Sequence, residues 1–281
     1  MGQFTLTITP GESILVSQYL PADKPRAQVI IAPAMGVSQR YYQALALWLS
    51  ARGYAVTTFD YRAMGASQNK ALRRYTLNIL DWAEGDCSQV LAHCRGQFAD
   101  IPCYWLGHSL GGQIFPLVNG IEQVTKVITI AAGTGYWRRN APALRKKVPL
   151  LWYLMVPLLT PLFGYFPGKK LGMVGDLPKG VIWQWRRWCL HPEYCVGVEG
   201  QAVKDKFNQL NLPTQALAFS DDEMLSVRNS EDLLGMLGSR HKQLKVVSPA
   251  DYALKRIGHF GFFHTQHAER LWPELLLTEL A

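Results

Sequence analysis

Charge is scarce in this chain of 281 residues. Asp, Glu, Lys and Arg together make up 18% of it against 48% hydrophobic residues, a balance that excludes a disordered chain, because burying that much apolar surface offsets the conformational entropy lost on folding. Cysteine is scarce as well. The five present (Cys87, Cys94, Cys103, Cys189, Cys195) are odd in number and argue against a disulfide framework, and Cys189, His191 and Cys195 have no fourth ligand at zinc-site spacing. Neither G-x-x-x-x-G-K-[ST] nor a complete G-x-G-x-x-G occurs, and there is no repeat or low-complexity tract, so no nucleotide or redox cofactor and no metal is expected. Residues 1–13 lack a basic start followed by an apolar run; with the unpaired cysteines, this gives the expectation of a reduced, cytoplasmic protein.

Acidic residues are the scarcer charge, 21 against 29 basic, for a formal net charge of +8. The excess is local. Between Thr134 and Leu190 stand Arg138-Arg139, Arg145-Lys146-Lys147, Lys169-Lys170, Lys179 and Arg186-Arg187 with Asp176 as the lone acid, a segment charge of +9, which leaves −1 for everything else. A protein that binds polyanions over its whole surface is therefore not indicated.

What is present is a rhythm. Residues 4–9 and 14–20 flank the turn signal Pro10-Gly11 and read as an antiparallel edge hairpin. Apolar strand-like runs at 29–32, 54–59, 102–106 and 124–131 then alternate with helix-period stretches at 41–51, 75–94 and after Ser109. Such alternation predicts an α/β fold with a mostly parallel central sheet flanked by helices. The rhythm stops for about eighty residues and resumes with strands at 215–219 and 244–247, a short helix near 231–237 and a terminal helix from Gln266. The division expected is a core of residues 1–133 and 213–281 with an inserted helical cap at 134–212. Inside the insert, residues 148–166 carry no charge over 19 positions and have the length of a membrane span. Pro149, Pro157, Pro161 and Gly164 would break a straight helix repeatedly, which points to short helices packed over a pocket.

The chemistry sits after the third strand of the parallel set, in Gly107-His108-Ser109-Leu110-Gly111. A tight strand-to-helix turn can hold a serine hydroxyl above a sheet, and it crowds its neighbours until only glycine leaves room. The following helix would aim its free N–H groups and positive dipole end at the reacting centre. A serine hydroxyl needs a base, and the base needs an acid to fix its tautomer. Downstream, Asp221-Asp222-Glu223 follows one strand and Gly258-His259-Phe260-Gly261 follows the last, both at strand C-terminal ends where α/β sheets place ligands. Asp222 is preferred as the acid because Met224-Leu225 follows it; Asp221 remains a rival.

These motifs resemble the α/β-hydrolase superfamily, in particular its monoacylglycerol-lipase-like and serine-aminopeptidase-like members, and the resemblance covers nearly everything outside the insert. It implies a catalytic triad of Ser109, Asp222 and His259. It also implies an oxyanion hole from the backbone N–H groups of Met35 and Leu110, although the His-Gly pair of the family's loop is replaced here by Pro33-Ala34. Asp60-Tyr61-Arg62-Ala63-Met64-Gly65-Ala66-Ser67 is similar to the family's Asp-x-Arg-Gly-x-Gly-x-Ser loop and reads as a structural turn. Trp183, Trp185 and Trp188 interleave with Arg186-Arg187, a combination able to stack bases, yet cap aromatics packing on the core account for it and nucleic-acid binding is not expected.

The reading is a serine hydrolase of the carboxylesterase or lipase type, cleaving an ester of a small or acyl-chain substrate through an acyl-enzyme, with no cofactor. An apolar insert over the strand ends favours an acyl or aromatic ester, and its basic rim allows peripheral contact with an anionic membrane. The alternatives are an amidase, peptidase or thioesterase on the same triad, or a non-catalytic binding module that uses the basic aromatic cap.

Overall fold

The computed structural model describes residues 1–173 and 175–280. β1 (Gly2–Thr9) and β2 (Glu12–Tyr19) form the antiparallel hairpin, closed at Gly11 with φ +79°, a left-handed conformation that glycine adopts without a Cβ penalty. Six parallel strands follow in the same sheet: β3 (Ala27–Ala32), β4 (Tyr54–Phe59), β5 (Cys103–His108), β6 (Lys126–Ile130), β9 (Thr214–Phe219) and β10 (Lys242–Val247). The sheet order is β1-β2-β4-β3-β5-β6-β9-β10, with the hairpin at one edge. Every residue of β3, β4, β5 and β9 is buried, as strands covered on both faces require. Val29 and Ile31 face one layer and Ile30 the other, so the sheet divides the interior into two apolar clusters.

The layers are built by α1 (Gln43–Ser50), α2 (Ser88–Gln97) and α3 (Leu110–Gln113), and later by α8 (Val227–Met236) and α9 (Ala268–Trp272). Between β6 and β9 the chain inserts α4 (Pro142–Leu150), α5 (Val156–Phe163), α6 (Lys179–Leu190), α7 (Gln201–Gln209) and a small antiparallel pair, β7 (Tyr165–Phe166) with β8 (Leu177–Pro178). The prolines do not break the uncharged run 148–166 as expected: α4, a π-helical turn at Leu151–Met155 and α5 follow one another without interruption, and β7 comes after them; no helix among the described residues is long and apolar enough to cross a membrane. Polar ties hold the insert to the core: Ile79 N–H donates to Gln184 Oε1 (2.6 Å) and Tyr194 O–H to Gln113 Oε1 (2.8 Å).

Two other elements differ from the expectation. The helix anticipated from Tyr75 starts later, at Ile79, and passes through a π-helical stretch (Asp81–Cys87) into α2, because Asn78 and Asp81 cap it reciprocally: Leu80 N–H donates to Asn78 Oδ1 (2.8 Å) and Asn78 N–H to Asp81 Oδ2 (2.7 Å). The helix expected after Ser109 is one turn, Leu110–Gln113, followed by a 3-10 turn at Phe115–Leu117. Gly111, Gly112 and Pro116 are poor helix residues, so the long dipole expected there is missing and only local N–H groups remain.

Candidate active site

Ser109 lies between the end of β5 and α3 with φ 48° and ψ −110°, a strained conformation for a residue with a side chain, held by its N–H on Ile130 O at 3.0 Å. The glycines around it are dictated by contact. A Cβ on Gly107 would lie 2.4 Å from Gly111 O, and one on Gly111 would lie 2.3 Å from Ala32 O. The turn is thus pressed against the end of β3, which leads directly into Pro33-Ala34-Met35. Neither the Met35 nor the Leu110 N–H donates a hydrogen bond among the described residues.

The loop after β9 and the loop before Phe260 are joined by three successive carboxylates with different jobs. Asp222 Oδ2 lies 2.7 Å from His259 Nδ1, both side chains being 1–2% exposed, while Asp222 Oδ1 accepts the N–H groups of Met224 (2.7 Å) and Leu225 (2.9 Å). Asp221 takes the backbone: its two oxygens accept from Ile257 (2.8 Å) and Gly258 (3.1 Å). Glu223 accepts the His259 N–H at 3.1 Å and pairs with Arg256 at 3.1 Å. Burial raises the Glu223 carboxyl, but these hydrogen bonds and the Arg256 charge outweigh it and hold the group below its ordinary value. The geometry separates the two candidate aspartates: the imidazole's partner is Asp222, and Asp221 anchors the loop that carries it.

A second histidine, not singled out from the sequence, links the parts. His108 is fully buried; its Nε2 lies 3.0 Å from His259 O and so must donate, and its Nδ1, 2.8 Å from the Tyr42 hydroxyl, accepts. Tyr42 in turn accepts from the Ala34 N–H at 2.8 Å. One relay therefore spans the Met35 loop, the serine turn and the His259 loop. The only sequence signal for it is that a histidine fills the first variable position of G-x-S-x-G. Burial, and next the proximity of His259, push His108 well below the ordinary histidine value, so it is neutral in the fold. The unfolded chain takes up a proton near the ordinary value that the fold refuses, so stability is present above that pH and falls below it. The His108 part is isolated by comparing denaturant titrations of the wild type and His108→Asn, in which Asp86, itself raised to about 7 by burial, cancels; relative to the variant, the wild type is expected to lose about 1 kcal/mol between about pH 6 and pH 5.

Ser109 and His259 line one cavity of about 300 Å³, with Leu144, Val148, Leu151 and Trp152 of the insert on its other wall. Met35 and Leu110 are not among its lining residues. Trp185 also lines it, edge-on to Trp152 at 5.2 Å; Trp188 is buried, its indole N–H on Glu199 at 2.6 Å. The expected turn residues do what the sequence suggested. Asp60 accepts the N–H groups of Gln39 (2.7 Å) and Ala66 (2.9 Å), and Arg62 is held by Asp86 (2.6 Å) and Glu12 (2.8 Å), away from the cavity. Among the described residues no group of His, Cys, Asp and Glu is placed to hold a metal, and the cysteines are free and buried.

A mostly parallel sheet with a strained serine after β5, an acid after β9 and a histidine after β10 is the α/β-hydrolase architecture. Residues 23–169, more than half of the chain, match the model of the family described as serine aminopeptidase, S33, and the chain belongs to that family. No curated protein sequence matches it. Solved structures share the fold at low identity. A soluble variant of monoglyceride lipase from Saccharomyces cerevisiae, in complex with a substrate analog, is 16% identical with a TM-score of 0.66, covering 88% of this chain and 85% of that one. The esterase domain of a Rhodothermus marinus protein is 17% identical (TM-score 0.62, 99% and 96% covered). Mouse alpha/beta hydrolase domain-containing protein 10 is 14% identical (TM-score 0.60, 100% of both chains).

Proposed function

We propose that this hydrolase-family chain is a serine hydrolase that cleaves a carboxylic ester with an apolar acyl or aromatic part through an acyl-enzyme. The observation that carries the reading is the buried Asp222–His259 pair at 2.7 Å whose imidazole lines the same apolar cavity as Ser109. With Nδ1–H donated to Asp222, Nε2 is the basic nitrogen. It takes the Ser109 proton as Oγ attacks the carbonyl carbon and returns it to the leaving alcohol; water activated by the same nitrogen then releases the acid. The N–H groups of Met35 and Leu110 are the proposed oxyanion donors, and their lack of other partners supports that role. Residues 134–212 act as the cap over a core of 1–133 and 213–281. Five buried free thiols suit a reducing compartment such as the cytoplasm.

The family description raises the peptidase reading, since an aminopeptidase needs a carboxylate for the substrate's ammonium group. Glu223 is the one acid lining the cavity among the described residues, and the His259 N–H and Arg256 already engage it, which favours an uncharged ester. A fluorophosphonate probe is expected to label the protein at Ser109, located by peptide mass spectrometry, and to leave Ser109→Ala unlabelled. A folded protein that stays unlabelled counts against the reading. A matched panel of ester, thioester and aminoacyl-amide substrates separates the bonds.

A further inference from the structure

The uncharged run that has the length of a membrane span is apolar on two faces, and the protein covers only one. Val148, Leu151, Trp152 and Val156 turn inward and are buried, three of them on the cavity wall. Outward, Leu150, Tyr153, Leu154, Leu158 and Leu162 are 49–74% exposed and make up five of the nine large hydrophobic side chains exposed among the described residues. Single exposed leucines are ordinary; five along one rod of α4, the π turn and α5 are not. The four leucines recur every fourth residue. On a pure α-helix that spacing drifts about 40° per step, and the wider π turn at Leu151–Met155 takes up part of the drift and keeps the row on one side.

Cations border the row. Lys146 and Lys147 are exposed one turn before Leu150, the Arg186 guanidinium lies 5.7 Å from the Tyr153 ring, and the Lys170 ammonium lies 5.1 Å from the Phe163 ring. Asp176, the one acid between Thr134 and Leu190, is occupied by the Lys169 N–H at 2.9 Å. We propose that this outer face of the α4–α5 rod docks the protein on an anionic phospholipid bilayer, with the leucines entering the headgroup–acyl boundary and the lysines and arginines meeting lipid phosphates. Charge selects the occupant. A second copy seated on this face would bring two segments of +9 together, and a nucleic acid would use the cations while leaving the leucines in water. An anionic bilayer satisfies both sets of groups. The docking face stands on its own exposure; its use, passing a bilayer-dissolved ester to the cavity on the rod's other side, rests on the hydrolase reading.

The test uses the full chain as Ser109→Ala, so that hydrolysis cannot alter the vesicles. It is expected to float with vesicles of equal parts phosphatidylcholine and phosphatidylglycerol, to be released by high salt, and to bind phosphatidylcholine alone far more weakly. Combining Leu154→Ser, Leu158→Ser and Leu162→Ser, all outside the cavity, is expected to weaken flotation by about tenfold or more with an unchanged melting curve. Docking is overturned if the anionic vesicles leave the protein behind, or if the triple variant binds as well as its parent. It is equally overturned if light scattering shows a dimer that the triple variant dissociates, or if duplex DNA, and not vesicles, is what the protein binds. Turnover of a short water-soluble ester by the wild-type chain and by the triple variant is expected to be equal. Ester cleaved without vesicle binding removes docking alone; vesicles bound without probe labelling removes the hydrolase reading alone.

Discussion

Asp222→Asn is expected to lower kcat on a soluble ester by about 10⁴-fold while the protein stays folded, because an amide facing His259 Nδ1 no longer fixes the tautomer with Nε2 free or stabilises the imidazolium. Asp222 also accepts from Met224 and Leu225 through its other oxygen, a job the asparagine carbonyl can keep if its amide nitrogen faces the imidazole. Asp221→Asn tests the neighbouring carboxylate. Its two oxygens serve the backbone of Ile257 and Gly258, so one of two hydrogen bonds is lost, and the cost is expected mainly as about 1 kcal/mol of stability with kcat down by about tenfold or less. Steady-state kinetics beside a denaturant titration of each variant separates the two. If Asp221→Asn proves the more damaging to kcat, the assignment of the two aspartates is reversed.

That contrast marks what can be read from the chain alone. The order of a serine turn, an acidic cluster after one strand and a Gly-His-Phe-Gly after the last is written locally, and each element lies at a strand end that hydrophobic runs identify. The preference for Asp222 over Asp221 rests in the sequence only on the Met224-Leu225 that follows it, because which of two adjacent carboxylates points at an imidazole 37 residues away is decided by the folded loop. The relay through Tyr42 and His108 is hidden for the same reason. It joins residues 66 and 151 positions apart, and a tyrosine beside a helix start resembles any buried aromatic. The helix after Ser109 fails in a different way. Gly111 and Gly112 are there to let β3 and β6 approach, so close packing overrides the helical period that neighbouring residues suggest. The run 148–166 has the composition of a span and prolines that point away from one; hidden in the sequence is that α4, the π turn and α5 continue as one rod with an apolar outer face beside its buried one.

Gly111→Ala is expected to be severely damaging for the addition of a single methyl. The added Cβ would sit 2.3 Å from Ala32 O and 2.6 Å from Ala32 C, backbone atoms of a fully buried central strand that cannot rotate aside as a side chain would. Relief requires moving α3 or the end of β3. Such overpacking costs about 1–3 kcal/mol in ordinary cores and more where backbone is struck, against a typical domain stability of about 5–15 kcal/mol. The damage is also functional in the proposed mechanism: Ala32 leads into Pro33-Ala34-Met35, so the displacement that accommodates the methyl spreads the Met35 and Leu110 N–H groups apart. A melting temperature lowered by several degrees, or insoluble protein, is expected, and any soluble fraction should label poorly with a fluorophosphonate. Gly96→Ala supplies the control, because in α2 its Cβ meets nothing within 4 Å and helix propensity alone should leave stability unchanged or raise it by about 1 kcal/mol. If the two variants melt alike, the serine turn is not clamped by contact with β3, and the strained φ of Ser109 needs another cause.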